Sequence, residues 1–307
     1  MYRKGSQRLY DQACGYRQII VINQSMALSI TMSDKISEKI EIDLLLDAIF
    51  LRHGYDFRNY ARSSLMRRLH YIKQKNGLTY ISDMIPKVLY DEAFTNQLLL
   101  DLSVTVTEMF RDPEFFAELR KQVIPLLMTY PFVKIWHAGC ATGEEVYSMA
   151  ILLEEEGFYD RVQIYATDIN QESLQIAKEG IYSLENIRKF TSNYQKSGGK
   201  SSFSDYYHAK YQMGKINEDL KRNIVFSQHN LATDQAFGEM HLIVCRNVLI
   251  YFDKQLQNQV FRLFNSSLVS RGFLCIGSKE SIEFSDIHSD FETLSCKWRI
   301  FRKQLPK

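Results

Sequence analysis

The sequence has few cysteines, and their arrangement excludes two common kinds of site. There are five, an odd number, and no two of them form a CxxC pair: Cys14, Cys140, Cys245, Cys275 and Cys296. A disulfide framework or a structural zinc site would need paired or closely spaced cysteines, whereas scattered thiols fit the reducing cytosol. We therefore expect a cytoplasmic protein that uses no metal.

Long apolar runs and a strong charge imbalance are also absent. No run approaches the roughly 20 residues that cross a bilayer, and the apolar stretch at 19–22 is too short for a signal-peptide core. The formal net charge is only +2, so the molecule as a whole has no affinity for a polyanion. We expect a protein that is neither embedded in a membrane nor bound to nucleic acid.

What is present is a soluble composition arranged in two patterns. With 307 residues, of which 45% are hydrophobic, the chain is long enough for two units. Residues 1–35 lack periodicity and are interpreted as a tail. Residues 36–112 are interpreted as a helical N-terminal domain and linker, because apolar residues recur at helical spacing. The first such group is Leu44, Leu45, Ala48, Ile49 and Leu51.

After Pro131, short β-type runs alternate with amphipathic helical stretches. The predicted strands are 133–136, 162–166, 224–226, 242–245 and 273–276. The predicted helices are 144–156, 171–179 and 254–268. Such alternation is typical of βαβ units, so an α/β fold with a mostly parallel sheet is predicted. The interval from about 187 to 222 breaks the rhythm and suggests a small insertion.

The loop His137–Gly143 follows the first predicted strand and is the first candidate site. Ligands of open α/β sheets bind beyond the carboxyl ends of the strands, and Gly139 and Gly143 let the backbone approach one. The loop is neither a dinucleotide G-x-G-x-x-G motif nor a P-loop, and Glu144 and Glu145 follow it. These carboxylates would repel a phosphate but suit the sulfonium and ammonium groups of S-adenosylmethionine. Alternatively, they only complement the helix dipole.

A second candidate residue ends the next predicted strand. Asp168 is placed to accept hydrogen bonds from ribose hydroxyls at the same edge of the sheet. Its alternative role is to cap the helix that starts near Gln171. With the acidic loop, Asp168 favours a methyltransferase that uses S-adenosylmethionine and releases S-adenosylhomocysteine.

Six segments resemble the chemotaxis receptor glutamate methyltransferases, the CheR family. They are TVTEMFRDPEFF (105–116), IWHAGCATGEEVYSMAILL (135–153), YATDINQESLQIAKEGIYS (165–183), FSQHNL (226–231), CRNVLIYFDKQLQ (245–257) and GFLCIGSKESI (272–282). The resemblance implies a helical N-terminal domain followed, over 113–307, by a Rossmann-like methyltransferase domain. A small antiparallel β-subdomain would be inserted at about 187–222. The implied activity is methyl ester formation on glutamate side chains of chemoreceptors.

The resemblance also assigns roles to single positions. Besides Gly139 of the loop, it implies cofactor binding by Thr105, Thr107, Arg111, Glu145, Asp168, Asn230, Leu231, Arg246 and Asn247. Arg111 and Tyr251 would lie at the methyl-transfer centre. Two positions depart from better-known members. Thr105 replaces an asparagine but can still hydrogen-bond, and Val146 replaces a proline that a first helical turn favours but does not require.

A glutamate acceptor needs no general base, because its pKa of about 4.3 leaves it ionised at neutral pH. We therefore assign no catalytic histidine or carboxylate. Arg111 is predicted to hold the incoming carboxylate, and Tyr251 to orient it or the methyl group. The alternative for Arg111 is a structural ion pair with a nearby carboxylate such as Asp112.

A basic segment provides the predicted docking surface for a protein partner. Its arginines are Arg58, Arg62, Arg67 and Arg68. The resemblance implies that they dock the acidic cytoplasmic helices of a chemoreceptor, which would recruit a cytoplasmic monomer to membrane receptors. Alternatively they form an ordinary solvated helix face. Two other functions stay open, namely a different acceptor, such as a small carboxylic acid or another protein, and a non-catalytic cofactor-binding scaffold.

Overall fold

The computed structural model of the protein describes residues 35–103 and 107–305. The chain divides into two compact units, Met1–Gly54 with Leu69–Thr95, and Tyr55–Arg68 with Asn96–Lys307. The predicted tail, residues 1–35, lies outside the described residues except for its last position. Two stretches of the predicted helical region, Tyr55–Arg68 and the part from Asn96 onward, belong to the larger unit.

The helical pattern predicted between 36 and 101 is confirmed. Helix α1 spans 35–53 and is followed by α2 (Arg62–Lys75), α3 (Met84–Tyr90) and α4 (Glu92–Leu102). The buried face of α1 consists of Ile42, Leu45, Leu46 and Ile49. Leu44 and Leu51, predicted on the same face, are 54% and 81% exposed, because 3.6 residues per turn put them on the opposite side of the helix.

Strands and helices alternate through the rest of the chain, as predicted. The strands are β1 (Val133–Ala138), β2 (Val162–Asp168), β3 (Ile181–Ser183), β4 (Tyr207–Lys210), β5 (Met213–Ile216), β6 (Ile224–Gln228), β7 (Met240–Cys245), β8 (Leu268–Ile276), β9 (Phe291–Ser295) and β10 (Ile300–Lys303). The helices are α5 (Pro113–Glu118), α6 (Ile124–Leu127), α7 (Glu144–Glu155), α8 (Gln171–Glu179), α9 (Leu184–Lys196) and α10 (Lys254–Ser267). Within the described ranges, no helix is both long and apolar enough to cross a bilayer.

The large sheet has seven strands in the order β6-β2-β1-β7-β8-β10-β9. The five strands from β6 to β8 run parallel, and β10 is antiparallel to both of its neighbours. This is the 3-2-1-4-5 order of a doubly wound, Rossmann-type sheet, extended by an antiparallel pair. The predicted α/β class with a mostly parallel sheet is therefore confirmed.

Both faces of the central strand β1 are buried, because successive side chains point to opposite sides and each side packs into a core. Ile135 of β1 belongs to a core that includes Ile151 of α7, whereas Trp136 belongs to a second core that includes Phe264 of α10. The rings of Trp136 and Phe264 meet edge to face with centroids 5.4 Å apart. Helices therefore cover both faces, and the loops at the strand ends are left for ligand binding.

A smaller antiparallel sheet is inserted in the chain between β2 and β6. Its order is β3-β5-β4. Helix α9, which connects β3 to β4, buries Ile187, Phe190 and Tyr194. The sheet begins at Ile181, ahead of the interval of about 187–222, because Gly180 ends α8 with a left-handed φ of +62° and β3 follows at once.

Candidate active site

Backbone hydrogen bonds hold the loop after β1 at the carboxyl edge of the sheet. Gly139 and Cys140 both donate their N–H groups to the Thr167 carbonyl, at 2.8 and 2.9 Å. Gly139 has a φ of +77°, and a Cβ there would lie 2.5 Å from a methyl carbon of Val248. Glycine is therefore needed both for the left-handed backbone and for the close approach of the loops after β1 and β7.

Glu144 and Glu145 open α7 but lie in different surroundings. Glu144 is only 5% exposed, and its carboxylate accepts a hydrogen bond from the Thr142 hydroxyl at 2.6 Å. Burial raises the pKa of Glu144 to about 7. Glu145 instead lines a cleft. Of the two carboxylates that drew attention in the sequence, only Glu145 faces space for a ligand.

Glu145 belongs to a charged network centred on Arg246. The buried guanidinium donates to Glu145 at 2.8 Å and to Asp112 at 2.6 Å, and it lies 4.0 Å from the ring centroid of Phe115. Burial by itself would raise the pKa of Glu145, but the charge of Arg246 and the nearby His137 bring it below its usual value. The network therefore keeps the Glu145 carboxylate ionised where it lines the cleft.

Asp168 ends β2 and faces the loop after β1. Its carboxylate accepts the N–H groups of Ala141 at 2.8 Å and Asn170 at 2.9 Å. Burial raises the pKa of Asp168 despite these bonds. The cap of α8 is Asn170, whose side chain accepts from the Ser173 N–H at 3.0 Å. Asp168 therefore does not cap α8, which was its alternative role.

The loop after β6 completes one side of the site. Asn230 closes a turn, because its side-chain oxygen accepts the N–H of Ala232 at 2.9 Å and its own N–H donates to Asp234 at 2.8 Å. Leu231 is 8% exposed and packs with the core on the α10 side of the sheet. The turn therefore places the main chain of Asn230 next to the apolar side chain of Leu231, and both residues line the site.

Glu280, which had no role assigned from the sequence, holds the loop after β7. It is 5% exposed, and its carboxylate accepts N–H groups from Gly277 at 2.5 Å, Ile250 at 3.2 Å and Asn247 at 3.3 Å. Burial raises the pKa of Glu280. A buried carboxylate is costly without such partners, so Glu280 is a positioning residue for this loop. The signal in the sequence was one acidic residue just after a buried strand.

The loops form one open cleft in the larger unit, with two adjoining parts. Residues common to both parts are Gly139, Ala141, Asn247, Val248 and Tyr251. The first part adds Asp168, Asn230 and Leu231, and the second adds Thr107, Arg111, Glu145 and Arg246. Every predicted cofactor residue that the structure describes lines this cleft. Thr105 lies outside the described residues, and the binding roles themselves stay predictions.

Arg111 and Tyr251, predicted at the methyl-transfer centre, both line the second part of the cleft. Asp112, the alternative partner of Arg111, pairs with Arg246 instead. The main-chain carbonyl of Arg111 accepts from Arg246 at 3.3 Å. The network thus holds the backbone of Arg111, while its guanidinium has no carboxylate partner among the described residues.

The four arginines predicted for docking differ in exposure. Arg58, Arg62 and Arg67 are exposed, and Arg58 pairs with Asp56 at 2.9 Å. Arg68 is half-buried and lines the first part of the cleft. Its side chain therefore belongs to the interior of the site rather than to the exposed basic surface.

The charges and shape of the cleft define a class of protein. Within the part of the chain that the structure describes, no three His, Cys, Asp or Glu side chains are grouped to hold a metal ion. The cleft lies beside β1 and β7, where the strand order reverses, and it has the Asp168 carboxylate in its first part and the Glu145 carboxylate in its second. A Rossmann-type domain of this kind fits a ribose-bearing, positively charged cofactor.

Family comparisons identify that class. Residues 105–300 match the family model for the CheR methyltransferase SAM-binding domain, and residues 40–103 match that for the CheR methyltransferase all-alpha domain. The chain therefore belongs to the CheR methyltransferase family, as the resemblance implied. It is a methyltransferase that depends on S-adenosylmethionine.

Curated relatives support the same family. The chain is 50% identical to a Pseudomonas putida protein that carries the name Cher3, over 89% of this chain and 100% of that protein. It is 30% identical to a chemotaxis protein methyltransferase of Listeria innocua, over 75% of this chain and 85% of the relative. The match to a chemotaxis protein methyltransferase of Borreliella burgdorferi is also 30%, over 80% and 89% of the two chains.

Proposed function

We propose that this protein forms methyl esters on glutamate side chains of chemoreceptors, with S-adenosylmethionine as the methyl donor. The observation that carries the proposal is the cleft beside β1 and β7, where the described cofactor residues predicted from the sequence meet. Family membership supplies the reaction class. Relatives named as chemotaxis protein methyltransferases supply the acceptor class.

The residues of the cleft fit the chemical groups of this cofactor. The Asp168 carboxylate would accept hydrogen bonds from the ribose hydroxyls, and Leu231 would pack against the adenine. Glu145 would face the ammonium group. The Nε–H of Arg246 is buried without an acceptor among the described residues, and an anionic group at the methionine end would supply one. When bound, S-adenosylmethionine supplies an electrophilic methyl group on a sulfonium.

The acceptor needs orientation rather than deprotonation. A carboxylate oxygen forms a bond to the methyl carbon as the carbon–sulfur bond breaks, so no proton moves and two opposite charges disappear. Arg111 would hold the carboxylate, and Tyr251 would limit its direction of approach. A well-aligned pair gains on the order of 7–11 kcal/mol over free encounter, so positioning is enough to account for a large part of the rate.

The exposed arginines extend the proposal to the partner. Arg58, Arg62 and Arg67 would dock the acidic cytoplasmic helices of a chemoreceptor, so that a monomer in the cytoplasm works at membrane receptors. A surface of this kind raises the encounter rate through long-range attraction. The arginines would thus serve binding, whereas Arg111 serves the reaction.

Transfer of labelled methyl groups to membranes from the protein's own source tests the proposal. Label should enter chemoreceptor proteins and be released as methanol by mild base, because carboxyl methyl esters hydrolyse readily. Arg111→Ala should abolish labelling even at saturating acceptor, since it removes an interaction needed during transfer. Arg111→Lys, which keeps the charge but not the bidentate geometry, should retain a part.

Other outcomes would assign one of the alternative functions. Label found only in small carboxylic acids or in other proteins would indicate a different acceptor. Binding of S-adenosylhomocysteine without any methyl transfer would indicate a cofactor-binding scaffold.

A further inference from the structure

Arg68 differs from its neighbour Arg67 although both lie on α2. Arg67 is exposed, whereas Arg68 is half-buried and lines the first part of the cleft with Tyr60 and Tyr251. Its Nη1 donates to the main-chain carbonyl of Leu102. Its guanidinium carbon lies 4.9 Å from the ring centroid of Tyr251. One side of the guanidinium is therefore fixed by a carbonyl and an aromatic face.

The start of α2 is tied directly to the loop that carries Tyr251. Ala61 donates its N–H to the Tyr251 carbonyl at 2.8 Å, and Asp253 donates to the Asn59 carbonyl at 3.0 Å. Tyr60 forms a bridge with Phe252, and their ring centroids lie 4.9 Å apart. Arg68, two turns further along α2, is thus held against Tyr251 by main-chain as well as side-chain contacts.

The ion pairs in the cleft show which of its arginines can bind an anionic ligand. The cleft contains Arg68, Arg111 and Arg246. Arg246 already pairs with Glu145 and Asp112. Arg68 and Arg111 have no carboxylate partner among the described residues. A guanidinium has five N–H donors, and a half-buried one that uses few of them gains from an anionic ligand.

We propose that Arg68 binds the carboxylate of the acceptor inside the cleft, against the Tyr251 ring. This inference rests on the proposed function, because a glutamate acceptor is the anion that must reach Tyr251. Arg68 and Arg111 then hold the acceptor from the two adjoining parts of the cleft, and Tyr251 lies on the boundary that both parts share. Arg68 is in this view a substrate-binding residue, whereas Arg67 contributes only to surface docking.

Steady-state methylation of a purified receptor fragment separates these roles. Arg68→Ala should lower kcat/KM roughly 10- to 100-fold, which corresponds to the loss of hydrogen bonds to a charged group. The loss should persist as salt rises, because partly buried charges are screened weakly. The matched control Arg67→Ala should lose less, and its loss should disappear at high salt.

Two further measurements distinguish substrate binding from a structural role. Calorimetry should give the same affinity for S-adenosylhomocysteine in Arg68→Ala and in the parent. Added guanidinium ions should restore part of the activity of Arg68→Ala but none of that of Arg67→Ala. Arg68→Lys, which keeps a cation in place, should be more active than Arg68→Ala.

The inference is overturned by any of three results. These are a kcat/KM of Arg68→Ala within about twofold of the parent, a loss that vanishes with salt as for Arg67→Ala, and a collapse of S-adenosylhomocysteine affinity that Arg68→Lys restores. The last result would make Arg68 a cofactor residue. If the parent itself transfers no methyl to glutamate, the proposed function fails, whatever the variants do.

Discussion

Burial of the Glu144 carboxyl lowers the free energy of unfolding as pH rises, whereas its neighbour Glu145 has no such effect. Its pKa rises from 4.5 to about 7 because the carboxyl is buried. Between these values the unfolded chain releases the proton before the folded protein does, so the free energy of unfolding falls as pH rises from about 4.5 to about 7. Above this window Glu144 is ionised in the folded and the unfolded protein, and the loss of stability reaches its full value of roughly 3 kcal/mol.

Replacing Glu144 by Gln should remove this cost while keeping an oxygen that accepts from Thr142. We expect Glu144→Gln to be more stable than the parent at about pH 8 and to differ little from it at about pH 5. Thermal unfolding at both pH values measures the difference. Glu145→Gln should instead be less stable than the parent at about pH 8, because Arg246 loses an ionised partner. A Glu144→Gln variant with no advantage at the higher pH would contradict this explanation.

Asp168 is expected to control cofactor affinity. Asp168→Asn keeps the size of the side chain but loses the charge and one acceptor oxygen. The dissociation constant for S-adenosylhomocysteine should rise roughly 5- to 150-fold, the equivalent of about 1–3 kcal/mol for unpaired polar groups. Calorimetry measures this, and NAD and ATP should not compete. Asp160→Asn, a change at an exposed aspartate paired with Arg222, is the control. Unchanged affinity in Asp168→Asn would argue against Asp168 as the ribose contact.

At the scale of an element, the loop after β1 depends on one glycine. Gly139 and Gly157 both have positive φ, of +77° and +64°, but only at Gly139 would a Cβ meet a close neighbour, Val248. Gly139→Ala and Gly157→Ala should both pay about 1–2 kcal/mol for the left-handed backbone. Gly139→Ala should lose a further ~1–3 kcal/mol of folding stability because its Cβ crowds Val248. Its affinity for the cofactor should fall as well. Chemical denaturation compares the two; equal losses would mean that contact with Val248 is unimportant.

The sequence predicted the parallel part of the fold better than the rest. Strands β1, β2, β7 and β8 contain apolar runs with mostly buried side chains, and the edge strand β6 begins with three β-branched or aromatic residues, so each has a clear pattern. Helix α7 is apolar along most of its length, and α8 and α10 are amphipathic. Strands β9 and β10 were missed because they are short antiparallel segments with few buried residues. Strand β3 was missed for the same reason, since it has three residues and one of them is buried.

The sequence predicted those residues of the site that lie in segments directly after predicted strands. Glu145 opens the helix that follows the first predicted strand, and Asp168 closely follows the second, so the carboxyl edge of a parallel sheet brings them together. The pairing of Asp112 with Arg246, and the inward position of Arg68, depend on contacts between residues far apart in the chain. Spacing along a sequence carries no information about such contacts.

At the scale of the whole molecule, the proposed docking surface consists of the exposed Arg58, Arg62 and Arg67 of a nearly neutral chain. Arg67→Ala should raise the apparent KM for the receptor at low salt and leave cofactor affinity unchanged. The effect should shrink as salt rises, because exposed charges are screened beyond about 8–10 Å at physiological ionic strength. Arg67→Lys should behave like the parent. Equal KM values for Arg67→Ala and the parent at low salt would rule out this docking surface and favour a small acceptor.

A crystal structure of the protein with S-adenosylhomocysteine bound is the most direct test of the proposed site. We expect the ribose hydroxyls on Asp168, the amino-acid end beside Glu145 and Arg246, and the sulfur facing Tyr251 with Arg68 and Arg111 around it. An S-adenosylhomocysteine molecule bound outside this cleft, or one whose sulfur points away from Tyr251 into the core, would contradict the assignment.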